Sequence, residues 1–242
     1  MKAVGESVLK PIEYYENNVE GTKSLLSVMQ KHDVFKLIFS SSATIYGNSE
    51  KKLIRENSKI SPISTYGFNK VSIENMLRNL FESNPNKWRI ANLRYFNPIG
   101  AHYTGMIGES PKGTPNNIFP LITKVASKKI SKLKIYGENW DTNDGTCVRD
   151  FIHVMDLADG HILTMEYLLN NCPQILNLNL GKKNLENGKF LKPNMLLNML
   201  FRNATNFFDI EFFKLCLKRG CPIILNNNAH KKLLIFIVLM TI

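Results

Sequence analysis

Tyr66 and Lys70 stand four residues apart in the segment Tyr66-Gly67-Phe68-Asn69-Lys70. On a helix, that spacing stacks a phenol and an ammonium one turn apart on a single face. A phenol with an ordinary pKa near ~10 is a weak base at neutral pH. A neighbouring ammonium favours the phenolate, lowers the pKa and makes removal of a proton from an alcohol feasible. Any amphipathic helix can carry this spacing by chance, so the surrounding elements decide its weight.

Those elements are legible. Lys36-Leu37-Ile38-Phe39-Ser40-Ser41-Ser42 is a short apolar run that ends in hydroxyls, the pattern of a buried parallel strand with a polar loop at its carboxyl end. A turn-rich stretch follows from Tyr46 to Pro62, and the spacing of Tyr66, Lys70, Ile73, Met76, Leu77 and Leu80 predicts a helix after Pro62. Trp88 to Phe96 reads as a second strand, ended by Asn97-Pro98. Three consecutive elements thus bring polar groups to one sheet edge, where open α/β sheets bind ligands.

Elsewhere the pattern predicts a helix through Tyr14, Val19, Leu25, Leu26 and Met29, with Pro11 near its start. A long Gly- and Pro-rich loop follows Asn97, with helical spacing from Ile118 to Ile130 and a short strand at Leu133–Gly137. A helical region covers Phe151 to Leu169, and a last strand lies around Ile175–Leu178. The alternation predicts an α/β fold with a parallel sheet.

Composition narrows the classes. The chain has 242 residues, 44% hydrophobic and 21% charged, which excludes a disordered polymer and allows a sizeable core. Four scattered cysteines do not make a disulfide framework and point to a reducing cytoplasm. The longest apolar run, Leu233 to Ile242, is short for the ~20 residues of a membrane span. The net charge of +11 suggests a polyanion partner until its distribution is read. Residues 1–180 carry 21 basic and 17 acidic side chains, and residues 181–242 carry 10 and 3. Most of the excess belongs to the last quarter, so neither nucleic acid nor membrane is expected as a partner. His153, His161, Cys216, Cys221 and His230 lack the paired spacing of metal sites, so no metal is expected.

The segments Ser40-Ser41-Ser42-Ala43-Thr44-Ile45-Tyr46-Gly47 and Leu93-Arg94-Tyr95-Phe96-Asn97-Pro98, with the Tyr66/Lys70 pair, resemble the extended short-chain dehydrogenase/reductase superfamily. Gly100-Ala101-His102, Gly108-Glu109-Ser110-Pro111, Pro115-Asn116-Asn117 and the run from Asp144 to Val154 narrow the resemblance to its UDP-glucose 4-epimerases, of the NAD-dependent epimerase/dehydratase family. The resemblance runs from Lys2 to about Gly181.

It implies an isomerase that interconverts UDP-glucose and UDP-galactose by reversible hydride transfer at sugar C4 through a 4-keto intermediate, with NAD as cofactor. Tyr66 would be the base for the sugar 4-hydroxyl, with Lys70 lowering its pKa, and Ser42 and Thr44 would hydrogen-bond the reacting oxygen and the base. Lys2, Asn17, Ser42, Tyr66, Lys70 and Phe96 would contact NAD, and Asn97, Asn117, Lys134, Tyr136 and Arg149 would contact the UDP-sugar. A guanidinium such as that of Arg149 also suits a diphosphate on its own chemistry. A homodimer is implied as well. A non-catalytic piece of such an enzyme, or a related sugar-nucleotide dehydratase or decarboxylase, are the other readings.

The same resemblance divides the chain into part of a Rossmann-like NAD domain (residues 1–96), a UDP-sugar region with returning Rossmann elements (97–181) and an unmatched basic tail (182–242). The family's first strands and Gly-x-x-Gly-x-x-Gly turn fall outside the 242 residues, so the chain reads as truncated at its N-terminus, with an exposed apolar sheet edge. The tail is expected to be irregular or helical, with helices around Met195–Phe201 and Phe207–Leu217.

Overall fold

A computed structural model describes residues 1–49, 53–111, 113, 115, 117–181 and 236–238. It divides into two units.

The first unit comprises Met1–Phe96, Ala158–Leu180 and a short strand near the C-terminus. Its helical start is broken into α1 (Val4–Leu9), α2 (Pro11–Tyr15), a π-helical turn (Glu16–Glu20) and α3 (Gly21–Lys31). Strand β1 (Lys36–Ser42) runs into a 3₁₀ turn (Ala43–Tyr46), and α4 (Thr65–Ser83) leads to β2 (Arg89–Tyr95). Ser64, extended at φ −117° and ψ 152°, caps α4 by accepting from the Gly67 N–H. The helix buries Gly67, Lys70, Ile73, Glu74 and Leu77, one face at the helical period, with two charged residues on it.

Beyond β2, the unit takes up most of α6 (Val154–Asn170) and then β5 (Gln174–Leu180). The sheet order is β5-β2-β1-β6, all parallel, with Ser42 level with Tyr95 and Tyr95 level with Leu180. The carboxyl ends of three strands therefore share one edge. Val19, Leu26, Met29, Leu37, Phe39, Ile73, Leu77, Trp88 and Ile90 form the core between this sheet and α3 and α4.

The second unit includes Asn97–Leu157. Its regular elements are β3 (Asn97–Ile99) and β4 (Phe151–His153), paired in parallel, α5 (Ile118–Ala126) and the start of α6. Gly100 at φ +95° lies so close to the His153 ring that a Cβ there would fall 2.4 Å from it.

Several expectations are corrected. Leu133–Gly137 is irregular: Gly137 takes φ +81°, and no ladder pairs this run. The region from Phe151 opens as strand β4 before α6 begins, because β3, inside the expected loop, offers it a partner. Phe236–Val238 is β6, a strand rather than irregular or helical chain, and it pairs with Leu37–Phe39. The β1 edge is thus covered there; a β-branched apolar run meets a row of unpaired backbone groups. The helices expected around 195–201 and 207–217 lie outside the described residues. Among those described, no helix is long and apolar enough to cross a membrane.

Candidate active site

The carboxyl end of β1 presents three consecutive serines, and α4 sends one side chain to each. Lys70, 2% exposed, donates from Nζ to the Ser40 carbonyl at 2.7 Å. Tyr66 is placed toward Ser42, whose side chain opposes the rise of its pKa. Ser41 donates from Oγ to Glu74 Oε1 at 2.6 Å. Tyr66, Lys70 and Glu74 are spaced i, i+4 and i+8, so one helix face delivers all three.

Close approach of α4 to the 3₁₀ turn makes this possible. A Cβ on Gly67 would stand 3.0 Å from the Thr44 carbonyl oxygen and 3.1 Å from Pro62 Cβ. The Ser42 Oγ accepts from Thr44 N at 3.2 Å and from Thr44 Oγ1 at 3.0 Å. Both bonds use Ser42 Oγ as acceptor, which leaves its own proton available for donation.

The electrostatics differ from the sequence expectation. Burial pushes the Tyr66 phenol up to about 12, with the Ser42 side chain opposing. Lys70 is itself pulled down to about 8 by burial, against the field of Glu74, which favours its charge. Its Nζ lies 5.4 Å from the Tyr66 ring centroid and 4.8 Å from that of Phe39. The expected lowering of the Tyr66 pKa is therefore not realised. Desolvation outweighs an ammonium held over a ring face rather than at the hydroxyl.

The expected cofactor contacts group around the same helix. Tyr66 N donates to Ser7 Oγ at 3.2 Å, which ties α1 to the start of α4. The Met1 amine donates to Asn17 Oδ1 at 3.3 Å and Asn18 Oδ1 at 2.7 Å. Burial and then the charge of Lys70 hold that amine below its usual pKa, so the chain start and Asn17 lie near the dyad. Lys2 is exposed, and Phe96 is half-buried, its N–H donating to the Leu180 carbonyl. Ser42, Tyr66, Lys70 and Asn17 supply hydroxyl, ammonium and amide groups, a donor set that fits the hydroxylated ribose of a nicotinamide nucleotide.

In the second unit, Asn97 donates twice to the Asp150 carbonyl, from its backbone N at 3.0 Å and from Nδ2 at 2.9 Å. This holds it beside the segment of Arg149. Lys134 Nζ sits 5.7 Å from the Tyr136 ring centroid. Asn117 donates to Glu109 at 3.0 Å, and Arg149, exposed, donates to the Val148 carbonyl at 3.3 Å. Lys134 and Tyr136 are joined; Asn117 is held by a different neighbour.

Sequence reasoning missed the buried polar groups behind the dyad. Glu74 and Arg94, 2% and 1% exposed, form a two-pronged pair, Nε to Oε1 at 3.0 Å and Nη2 to Oε2 at 2.7 Å. Arg94 Nη1 also donates to Tyr46 Oη at 2.8 Å and to the Glu56 carbonyl at 2.9 Å. On the β1 edge, Ser40 Oγ and Tyr95 Oη are 2.7 Å apart, and Tyr95 Oη is also bonded to His161 Nε2. The one available signal was Glu74 itself, a carboxylate on the apolar face of α4 where pattern demands a core residue.

Comparisons with known proteins bear on the family. The profile of the NAD dependent epimerase/dehydratase family matches residues 1–179. UDP-glucose 4-epimerase 1 of Oryza sativa subsp. japonica is 50% identical over 186 residues, which cover 75% of this chain and 52% of that protein. UDP-glucose 4-epimerase of Yersinia enterocolitica is 50% identical over 182 residues, 75% and 54% of the two chains. The crystal structure of UDP-glucose 4-epimerase from Bifidobacterium longum in complex with NAD+ and UDP has a TM-score of 0.77 and 43% identity, covering 85% of this chain and 59% of that one. The chain spans about half the length of the curated relatives it matches. A match over nearly three quarters of the sequence, carried by a parallel sheet with Ser42, Tyr66 and Lys70 at its carboxyl edge, places this chain in the NAD dependent epimerase/dehydratase family.

Proposed function

We propose that the chain takes part in UDP-glucose 4-epimerisation, interconverting UDP-glucose and UDP-galactose in the cytoplasm with NAD as cofactor. The observation that carries the reading is a Lys70 buried at the carboxyl edge of a parallel sheet, its ammonium on the Ser40 carbonyl, one helical turn from Tyr66. UDP-glucose 4-epimerases that are 50% identical to this chain over about half of their own length support the substrate class.

NAD would supply the redox chemistry, a reversible hydride transfer at sugar C4. The side chains handle the proton. Tyr66 accepts it from the 4-hydroxyl and later gives it back, and Ser42, oriented by Thr44, stabilises the phenolate with its one hydroxyl proton. Lys70, depressed to about 8, is still mostly protonated at pH 7 and holds its ammonium on the Ser40 carbonyl one helical turn from Tyr66. Lys2, Asn17 and Phe96 complete the cofactor contacts. Residues 1–96 act as the NAD-binding part, and residues 97–181 as the UDP-sugar part, in which Asn97, Asn117, Lys134, Tyr136 and Arg149 hold the nucleotide sugar. Residues 182–242 have no assigned part.

The test is direct. The purified chain, supplied with NAD, is assayed for conversion of UDP-galactose to UDP-glucose, beside Y66F and K70M. The expected result is NAD binding with conversion that Y66F lowers by a factor of about 10² or more. A chain that binds no NAD and converts nothing would overturn the proposal in favour of a non-catalytic piece. A dehydrated or decarboxylated product would move it to another reaction of the family.

A further inference from the structure

The three α4 side chains that meet Ser40, Ser41 and Ser42 do not have the same role. Tyr66 and Lys70 reach the site, whereas Glu74 points into the sheet one helical turn beyond Lys70, where nothing is left for it to react with. It is held from two strands. Ser41 on β1 and Arg94 on β2 together occupy both its oxygens at 2.6, 3.0 and 2.7 Å. Apolar contacts such as those of Ile73 and Leu77 attract without direction and leave a helix free to rotate or slide by fractions of an ångström. A planar guanidinium fork on a carboxylate does not, because both bonds must align at once.

We propose that Glu74 and Arg94 are positioning residues: their buried two-pronged pair, anchored on Ser41, fixes the rotation and axial register of α4 so that Lys70 meets the Ser40 carbonyl and Tyr66 meets the Ser42 hydroxyl. This rests on reading Tyr66 and Lys70 as the reacting pair. The tolerance such chemistry needs, about 0.5 Å and 10–20°, is what a fork one turn away can enforce. Arg94 is held in turn by its bonds to Tyr46 and the Glu56 carbonyl, and Tyr46 Oη donates to Asn179 Oδ1 on β5 at 2.7 Å. The fork is therefore referenced to three strands of the sheet. The Glu74 charge also favours the ammonium form of Lys70.

The test uses the purified 242-residue chain and needs no turnover. The double variant E74M/R94L removes the directional restraint together with the Glu74 charge, whose loss alone would lower the Lys70 pKa, so a rise reports the lost restraint; buried ion pairs often tolerate such replacement. Lysine-labelled NMR, with the Lys70 signal identified by its absence in K70R, reads the Lys70 titration. The parent should titrate near pH 8. The double variant should melt cooperatively, but with Lys70 titrating about one pH unit higher or more, as water reaches an ammonium no longer held at Ser40. A folded double variant with an unchanged Lys70 titration would overturn the proposal, as would a parent that titrates at the ordinary lysine value. If the double variant does not fold, S41A, which keeps the ion pair and loses its anchor on β1, must show a smaller shift in the same direction. No shift in S41A would mean that the pair serves folding alone. An inactive parent chain would count against the proposed function and leave this result intact.

Discussion

The two units hold their polar side chains in opposite ways. In the first, Ser40, Ser41, Lys70, Glu74 and Arg94 are all at most 4% exposed, and each is bonded to a different element. In the second, Tyr136 is 77% exposed, Arg149 and Lys134 are exposed, and Arg149 bonds to the carbonyl of the residue before it. Proton chemistry needs groups whose pKa values and positions are shifted and fixed, and burial against a sheet achieves both. Residues that grip a solvated nucleotide can stay on loops, at ordinary solvation, until the ligand orders them.

The largest effect that would sharpen this contrast is the loss of one partner of the buried pair. R94M leaves the Glu74 carboxylate buried without its counter-charge and should cost about 3–5 kcal/mol in a denaturant melt. The second-unit counterpart R149M, at an exposed guanidinium, should stay within about 0.5 kcal/mol of the parent while weakening UDP binding. Equal costs for the two variants would break the comparison.

Next in size is a pH effect. Lys70 is depressed to about 8 from its ordinary 10.5, so between those values the unfolded chain binds more protons than the folded one, and stability rises with pH. Lys70 should therefore contribute an increase of about 3 kcal/mol across that window, absent from K70M. Tyr66 and Tyr95, both raised to about 12, act in the other direction above pH 10, where the unfolded chain loses protons first. Stability curves of parent and K70M that stay parallel from pH 8 to 10.5 would show that Lys70 is solvated like a surface lysine.

A smaller effect is expected at Gly67. Alanine gains about 1 kcal/mol in helix propensity, but its Cβ would press on the Thr44 carbonyl and Pro62. G67A should be net destabilising by about 1–3 kcal/mol, since overpacking against backbone cannot relax easily. If it instead stabilised the fold, α4 would not be seated as tightly as described.

Much of the framework was visible in the residues themselves. The hydroxyl-ended strand appears at Lys36–Ser42 as read, and the helix after Pro62 runs Thr65–Ser83 with Tyr66 and Lys70 in its first two turns. The last strand is three residues longer than read, Gln174–Leu180 rather than Ile175–Leu178. These signals are local: apolar periodicity and a proline ahead of the helix. The errors fall where pairing decides. Leu133–Gly137 has strand composition without a partner, whereas Phe151–His153 lies inside a helical pattern yet finds β3. His161, which the sequence marked only by its lack of metal-site spacing, is bonded to Tyr95.

By itself, the sequence determined on which elements the candidate residues ride, because spacing along a helix or strand is a property of the chain. Tertiary structure alone decided their energetics. The Lys70 ammonium does not lower the Tyr66 phenol, because burial raises the phenol to about 12 and draws the lysine down to about 8. Glu74 finds Arg94 twenty residues away, and Tyr46 finds Asn179 across 133. Desolvation and long-range pairing depend on which surfaces meet, and periodicity along the chain does not encode that.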